Sequence, residues 1–300
     1  MSPIISPETD YLESPRVVQA HPAMFKAFWP EVKGSNFFRD RRVYLDFLHH
    51  QGGRIFYLPD RSVSSPPFVL VGNWRDREDI TALWHVRAEG ADKQNLVLGA
   101  AWECFNEGAE KMVTKLLNEN EAAEYREWGF EVACIVRLLE KQLYREPPLP
   151  KERDGVRIVH FRKKALGDVL RVDAAAFDDF WRLDPRTIEA IASSCTHNVF
   201  LLARSDGETL GYTMGGVNGR LGYLQRLGVH TQHQGKGIGE SLALHLLHDL
   251  YHLGATVVMV NTQEDNLAAL NLYRNLGFLE TPGPRLIMQY TARSADRGKR

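Results

Sequence analysis

Gln234-Gly235-Lys236-Gly237-Ile238-Gly239 stands between two segments of different period. Before it, Tyr223-Leu224-Gln225-Arg226-Leu227-Gly228-Val229 alternates as a half-buried strand does. After it, Leu242, Leu246, Leu247, Leu250 and Leu253 recur at helical spacing up to Gly254. The glycines therefore sit where a strand turns into the first turn of a helix. Gly235, Gly237 and Gly239 let the backbone approach a ligand closely and take dihedrals that a side chain forbids. The N–H groups of that first turn point outward at the positive end of the helix dipole. The stretch predicts an anion cradle, suited to a phosphate or pyrophosphate.

Two familiar phosphate loops do not fit it. The dinucleotide fingerprint needs G-x-G-x-x-G inside a parallel βαβ unit, with an acidic residue roughly 20 positions on. The spacing here differs, and the preceding strand arrives by a hairpin. A P-loop closes on Gly-Lys-Ser/Thr, whereas Lys236 is followed by Gly237.

Val229, Gln234-x-x-Gly237-x-Gly239 and Asn266-x-x-Ala269-x-x-Leu272-Tyr273-x-x-x-Gly277-Phe278 together resemble the two signature motifs of the GNAT acyl-CoA-dependent N-acetyltransferases. The likeness runs from about residue 156 to 290. It implies acetyl-CoA as co-substrate, with no metal. Its pyrophosphate would rest on Gln234, Gly235, Lys236, Gly237, Ile238 and Gly239, with Glu240 opening the helix. Lys236 either adds a charge or is a solvated surface lysine. The resemblance lays the pantetheine arm and acetyl carbonyl along the backbone of Leu227, Gly228 and Val229. That requires the domain's fourth strand to splay from its fifth and free ladder N–H groups. Asn266 and Ala269 match positions at the coenzyme arm, although Asn is also a good helix cap. Tyr273 matches the tyrosine that protonates the departing thiolate; the rival reading is a tyrosine packed on the sheet.

An alkylammonium of pKa near 10 must lose its proton before attack, and the base is not evident. The positions comparable to the family's glutamates are Tyr223 and Asn261, while Glu264 and Asp265 follow the fifth strand. The acceptor pocket is expected in the loop Phe177 to Asp184, where Asp178, Asp179 and Trp181, with Tyr223, would bind a cationic amine. A capping acidic loop with core aromatics is the alternative. His245, His248 and His252 share a helix face, but no carboxylate accompanies them as in H-E-x-x-H, so a solvent-exposed face without metal is expected. His230 and His233 flank the approach to the cradle.

Three hundred residues suit two domains of ordinary size. A composition 44% hydrophobic and 25% charged can build real cores. A formal net charge of −1 gives no drive toward nucleic acid or membrane. Cys104, Cys134 and Cys195 form neither a disulfide nor a metal pattern, which suits reduced thiols in a cytoplasmic protein. The first residues show no basic n-region or apolar h-region, and no run approaches 18 apolar residues.

Arg145 to Gly155 is rich in proline and charge and reads as a linker. On either side a pattern recurs. Gly108-Ala109 precedes Met112 to Leu117 as Gly254-Ala255 precedes Val257 to Val260, and Tyr125-Arg126-Glu127-Trp128-Gly129-Phe130 echoes Tyr273-Arg274-Asn275-Leu276-Gly277-Phe278. An offset of 146 to 148 residues argues for tandem copies of one fold. The expected organisation is a degenerate GNAT-like domain over 1–145, a linker at 146–155, a GNAT domain over 156–291 and a frayed tail at 292–300. The expected class is α/β: in each copy a mixed, mostly antiparallel sheet flanked by helices. In the first copy Ala88-Glu89-Gly90-Ala91-Asp92-Lys93 replaces the cradle, and its acids would repel a pyrophosphate. Phe25, Phe28, Trp29, Phe37, Phe38, Tyr44 and Phe47 read as its core.

The expected reaction is transfer of acetyl from acetyl-CoA to the primary amine of a small molecule or peptide, by direct attack in a ternary complex, in a monomer or homodimer. Two rivals stand beside it. The tandem layout is similar to that of mycothiol synthase, which acetylates a cysteinyl amine, and a non-catalytic acyl-CoA sensor would need the same cradle.

Overall fold

The computed structural model describes residues 17–33, 38, 40–50, 52–59, 66–150 and 155–292. Phe37, linker residues 151–154 and the expected tail from Ser294 onward lie outside the described residues, as does Arg293. Two compact units are present. One comprises the chain up to Ile135 together with the segment from Arg285; the other is Val136–Pro284.

The same order of elements is laid down twice. The first unit runs β1 (Val18–Gln19), α1 (Phe25–Val32), α2 (Arg41–His50), β2 (Arg54–Tyr57), β3 (Phe68–Trp74), β4 (Arg77–Arg87), α3 (Gly90–Asn106), β5 (Lys111–Thr114), α4 (Glu119–Glu127) and β6 (Glu131–Gln142). Then follow β7 (Arg157–His160), α5 (Leu166–Ala176), α6 (Pro185–Ala192), β8 (His197–Ser205), β9 (Glu208–Asn218), β10 (Leu221–Val229), α7 (Ile238–His252), β11 (Val257–Gln263), α8 (Leu267–Asn275), the short β12 (Leu279–Glu280) and β13 (Arg285–Thr291). The expected repeat is therefore one of architecture. Gly129 and Gly277, both at positive φ, end α4 and α8 in the same way. Within each unit one pair is parallel, β4 with β5 and β10 with β11, and the other pairs are antiparallel. This is the mixed, mostly antiparallel class expected.

The units do not divide at the proline-rich stretch. Val136–Gln142, the second part of β6, pairs antiparallel with β11 in the second unit, from Val136 opposite Gln263 to Gln142 opposite Val257. Leu139 and Leu143 are buried in that unit's core. Conversely β13 pairs with β5 in the first unit, Tyr290 opposite Met112, and buries Leu286 and Met288 there. Each copy thus receives its closing strand from the segment expected to belong to the other. The expected boundaries at 145, 156 and 291 shift accordingly, because a strand belongs where its ladder and its apolar face are satisfied.

In the second unit α7 and α8 cover one face of the sheet. Leu242, Leu246, Leu247 and Leu250 are fully buried there, each stabilising by about 1.5–3 kcal/mol. Helices α5 and α6 cover the other face, with Val169, Val172 and Ile188 against Leu202, Tyr212 and Met214. In the first unit Phe25, Phe28, Phe38, Tyr44 and Phe47 are buried in one cluster, with Trp29 partly buried against it.

Candidate active site

Strand β10 lies along β9 as far as Val229, but it pairs with β11 only from Leu221 opposite Val257 to Leu224 opposite Val260. Strand β11 continues to Gln263 on β6. The two strands therefore part after Leu224, and among the described residues the β11-facing edge of Gln225–Val229 has no ladder partner. A bulge coincides with the parting: the β9–β10 register slips between Leu224 and Arg226. The extra residue resets the alternation. Gln225 donates from Nε2 to Ser194 Oγ at 2.7 Å, Arg226 turns toward α5, and Leu224, Leu227 and Val229 face the α7 core.

Arg226 is the centre of a buried cluster that sequence reasoning missed. It donates to Asp173 Oδ2 from Nε at 3.0 Å and from Nη2 at 2.6 Å. Nη2 also donates to the Trp181 carbonyl at 2.8 Å, and the guanidinium lies 3.4 Å from the Phe177 ring centre. Asp173, 0% exposed, further accepts the Tyr212 hydroxyl and the Leu183 N–H at 2.7 Å. Phe177 and Tyr212 also explain Gly228, where an added Cβ would lie 2.9 Å from Tyr212 and 3.2 Å from Phe177. The available signal was Arg226 as the single charged residue of its strand.

The cradle follows directly. Gly237 caps α7 with φ 73°, a left-handed conformation that β-branched side chains resist. The N–H groups of Gly235, Gly237, Ile238 and Gly239 donate to no acceptor among the described residues. They form a run of unsatisfied donors at the start of a long helix, which is what an anion site requires. Gln234 instead braces the loop, donating from Nε2 to the Val229 carbonyl at 3.0 Å. Lys236 and Glu240 are exposed beside it. Val229, Ile238 and Tyr273 belong to one apolar cluster, so strand end, cradle and tyrosine come together.

Tyr273, on α8, is 4% exposed, and its hydroxyl makes no hydrogen bond among the described residues. Burial pushes its pKa well above the phenol range, opposed by the Arg226 charge, which keeps the hydroxyl protonated. Asn266 caps α8, accepting from Ala269 N–H at 3.1 Å, while its amide nitrogen has no partner among the described residues.

Residues 168–278 match the model of the Acetyltransferase (GNAT) family. The chain carries a GNAT domain. Among solved structures, a GCN5-related N-acetyltransferase from Sphaerobacter thermophilus is 17% identical, with TM-score 0.60 over 92% of this chain and 96% of that one. A tandem GNAT protein from the clavulanic acid biosynthesis pathway is 15% identical, with TM-score 0.64 over 81% and 84%. A glucosamine N-acetyltransferase region of a fungal multi-domain β-N-acetylglucosaminidase is 14% identical, with TM-score 0.65 over 91% of this chain and 38% of that one. At these identities the likeness is one of fold, and it includes the tandem layout. The matched family is described as one of acetyltransferases.

In the GNAT domain the remaining expected residues fall as follows. Asp178 accepts the Trp181 N–H at 3.1 Å, and exposed Asp179 lies 3.4 Å from Arg182. Tyr223 is half-buried on β10, and burial raises its pKa. Glu264 is ion-paired with Arg137, and Asn261 and Asp265 are exposed. Strands β10 and β11 carry no carboxylate. The histidine face of α7 differs from expectation, because a carboxylate, Glu146, does meet His248 and His252.

The first unit retains the strand bulge but not the cradle. Its β4–β5 pairing also stops early, at Leu83 opposite Thr114, beside a register slip in β3–β4. Between β4 and α3, however, stand only Ala88 and Glu89, where the GNAT domain has His230 to Gly237. The loop is shortened, beyond the loss of glycines expected. Among the described residues no helix is long and apolar enough to cross a membrane.

Proposed function

We propose that Val136–Pro284 transfers an acetyl group from acetyl-CoA to a primary amine by direct attack in a ternary complex. The observation that carries the reading is the row of unsatisfied amides at Gly235, Gly237, Ile238 and Gly239, set beside the unpaired edge of β10. The amides would take the pyrophosphate, and the free edge from Leu227 to Val229 would receive the pantetheine arm and polarise the thioester carbonyl. The amine enters on the side of Trp181, where Asp178 and Asp179 supply negative charge. It attacks the carbonyl carbon, the C–S bond breaks, Tyr273 gives its proton to the leaving thiolate, and the proton shed by the new amide nitrogen returns to the Tyr273 oxygen through water. With no carboxylate on β10 or β11, the ammonium proton leaves through water. The acceptor is a small-molecule or peptide amine, and the protein acts as a monomer or homodimer without metal in the reaction.

The same lack of a carboxylate favours one rival, an acyl-CoA-binding module without turnover. Thiol release from acetyl-CoA, followed across a panel of amines that includes a cysteinyl thiol precursor, separates the readings. Amine-dependent release supports transfer. Tight acetyl-CoA binding without release supports the module, and no binding at all refutes both.

A further inference from the structure

The end of α7 away from the cradle carries a second cluster. His248 and His252 are one turn apart, with their Nε2 atoms 3.2 Å from each other. Both Nε2 atoms also lie 2.9 Å from the same oxygen, Glu146 Oε1. Glu146 follows β6 at the start of the proline-rich stretch, so the three come together only through the fold.

We propose that Glu146, His248 and His252 bind a divalent transition-metal ion of the zinc class. As plain hydrogen bonding the arrangement is poor, since two imidazoles crowd one carboxylate oxygen and each other. A cation between the three atoms satisfies all of them. Zinc bonds of about 2.0–2.2 Å in a tetrahedral site separate ligand atoms by roughly 3.3–3.6 Å, so the triangle needs only a modest opening. Two imidazole nitrogens and one carboxylate suit zinc, nickel or copper rather than calcium or magnesium. Asp249 adds a nearby carboxylate, its Oδ1 3.7 Å from His248 Nδ1, on the side of the ring away from the three ligand atoms. Glu146 and His252 are exposed, so water fills the fourth position. The ion clamps the segment after β6 onto the last turns of α7. It is remote from the acyl transfer and independent of it.

The test uses the full chain without an affinity tag, stripped with EDTA and titrated with zinc chloride by calorimetry, then with cobalt chloride while the visible absorption is followed. The expected result is one ion per chain and the intense visible bands of four-coordinate cobalt. Glu146→Gln weakens zinc binding by roughly tenfold or more, and the double variant His248→Ala/His252→Ala abolishes it with the far-UV circular dichroism unchanged. No binding below about millimolar zinc overturns the proposal, and so does binding retained in the double variant.

Discussion

Asp173→Asn tests the buried cluster most directly. The substitution keeps the shape of the side chain and an acceptor for the Leu183 N–H, but it removes the charge facing Arg226. Breaking a buried pair from one side destabilises by about 3–5 kcal/mol. Arg226 keeps the Trp181 carbonyl and the Phe177 ring, which places the loss near the lower end, about 3 kcal/mol. For a domain of this size that is a fall of roughly 6–12 °C in the unfolding midpoint. With Asp173 no longer a charged anchor, Arg226 still meets the Trp181 carbonyl but is less firmly fixed, so the KM for amine should rise while acetyl-CoA affinity, set by the cradle amides, holds. The double variant Asp173→Leu/Arg226→Met, with no charge left to strand, should be more stable than Asp173→Asn. Thermal unfolding of the three variants, with KM for each substrate, measures this. A midpoint for Asp173→Asn within about 2 °C of the parent, which is under 1 kcal/mol, refutes the reasoning, as does a double variant less stable than the single.

Gly237→Val forces a β-branched residue into a left-handed conformation that costs even ordinary residues about 1–2 kcal/mol. It should weaken acetyl-CoA binding at least roughly tenfold by calorimetry, whereas at Gly239 an added Cβ meets Leu227 and Leu272 at an ordinary 3.6 Å, so Gly239→Ala should be tolerated. Tyr273→Phe removes a hydroxyl that has no hydrogen-bond partner among the described residues; kcat should fall about 10²–10⁴-fold with acetyl-CoA affinity and midpoint unchanged. Since burial raises the Tyr273 pKa, its ionisation should produce no loss of activity below pH 10, and a Phe variant with full turnover would remove its acid role. Asp178→Asn/Asp179→Asn should raise the KM for a cationic amine several-fold without changing kcat; equal KM values would leave Asp178 its turn-capping part alone. Glu264→Gln breaks a half-exposed pair with Arg137 and should cost at most about 1 kcal/mol, with an unaltered pH–rate profile. Loss of the limb on the acid side of the profile would make Glu264 the base.

What was legible in the chain was local. The glycine-rich turn between β10 and α7 and the helix-ending Gly-Phe pairs each follow from a few neighbouring residues, and both stand where the sequence placed them. Less visible was anything settled by a partner. Val136–Gln142 and Arg285–Thr291 are strands whose ladder partners lie far along the chain, and no local pattern names such a neighbour. The bulge at Gln225 is a slip of one residue in a stretch that still alternates to the eye. Asp173 and Arg226 are 53 positions apart, and Glu146 and His252 are 106 apart; a charge in an apolar run announces that it needs a counterpart, not which one. Tandem symmetry was the exception, because repetition carries long-range information in the order of local signals.

The traded closing strands set an order of events during biosynthesis. The first unit emerges from the ribosome with β5 unpaired on one side and no Leu286 or Met288 to finish its core. It must wait, as a nascent intermediate, until the whole of the second unit and then Arg285–Thr291 have been translated. The second unit has no such delay, since Val136–Gln142 precedes it. The half that carries the cradle is therefore the half that can mature first, and an early stop codon before Arg285 would injure the portion of the protein already made.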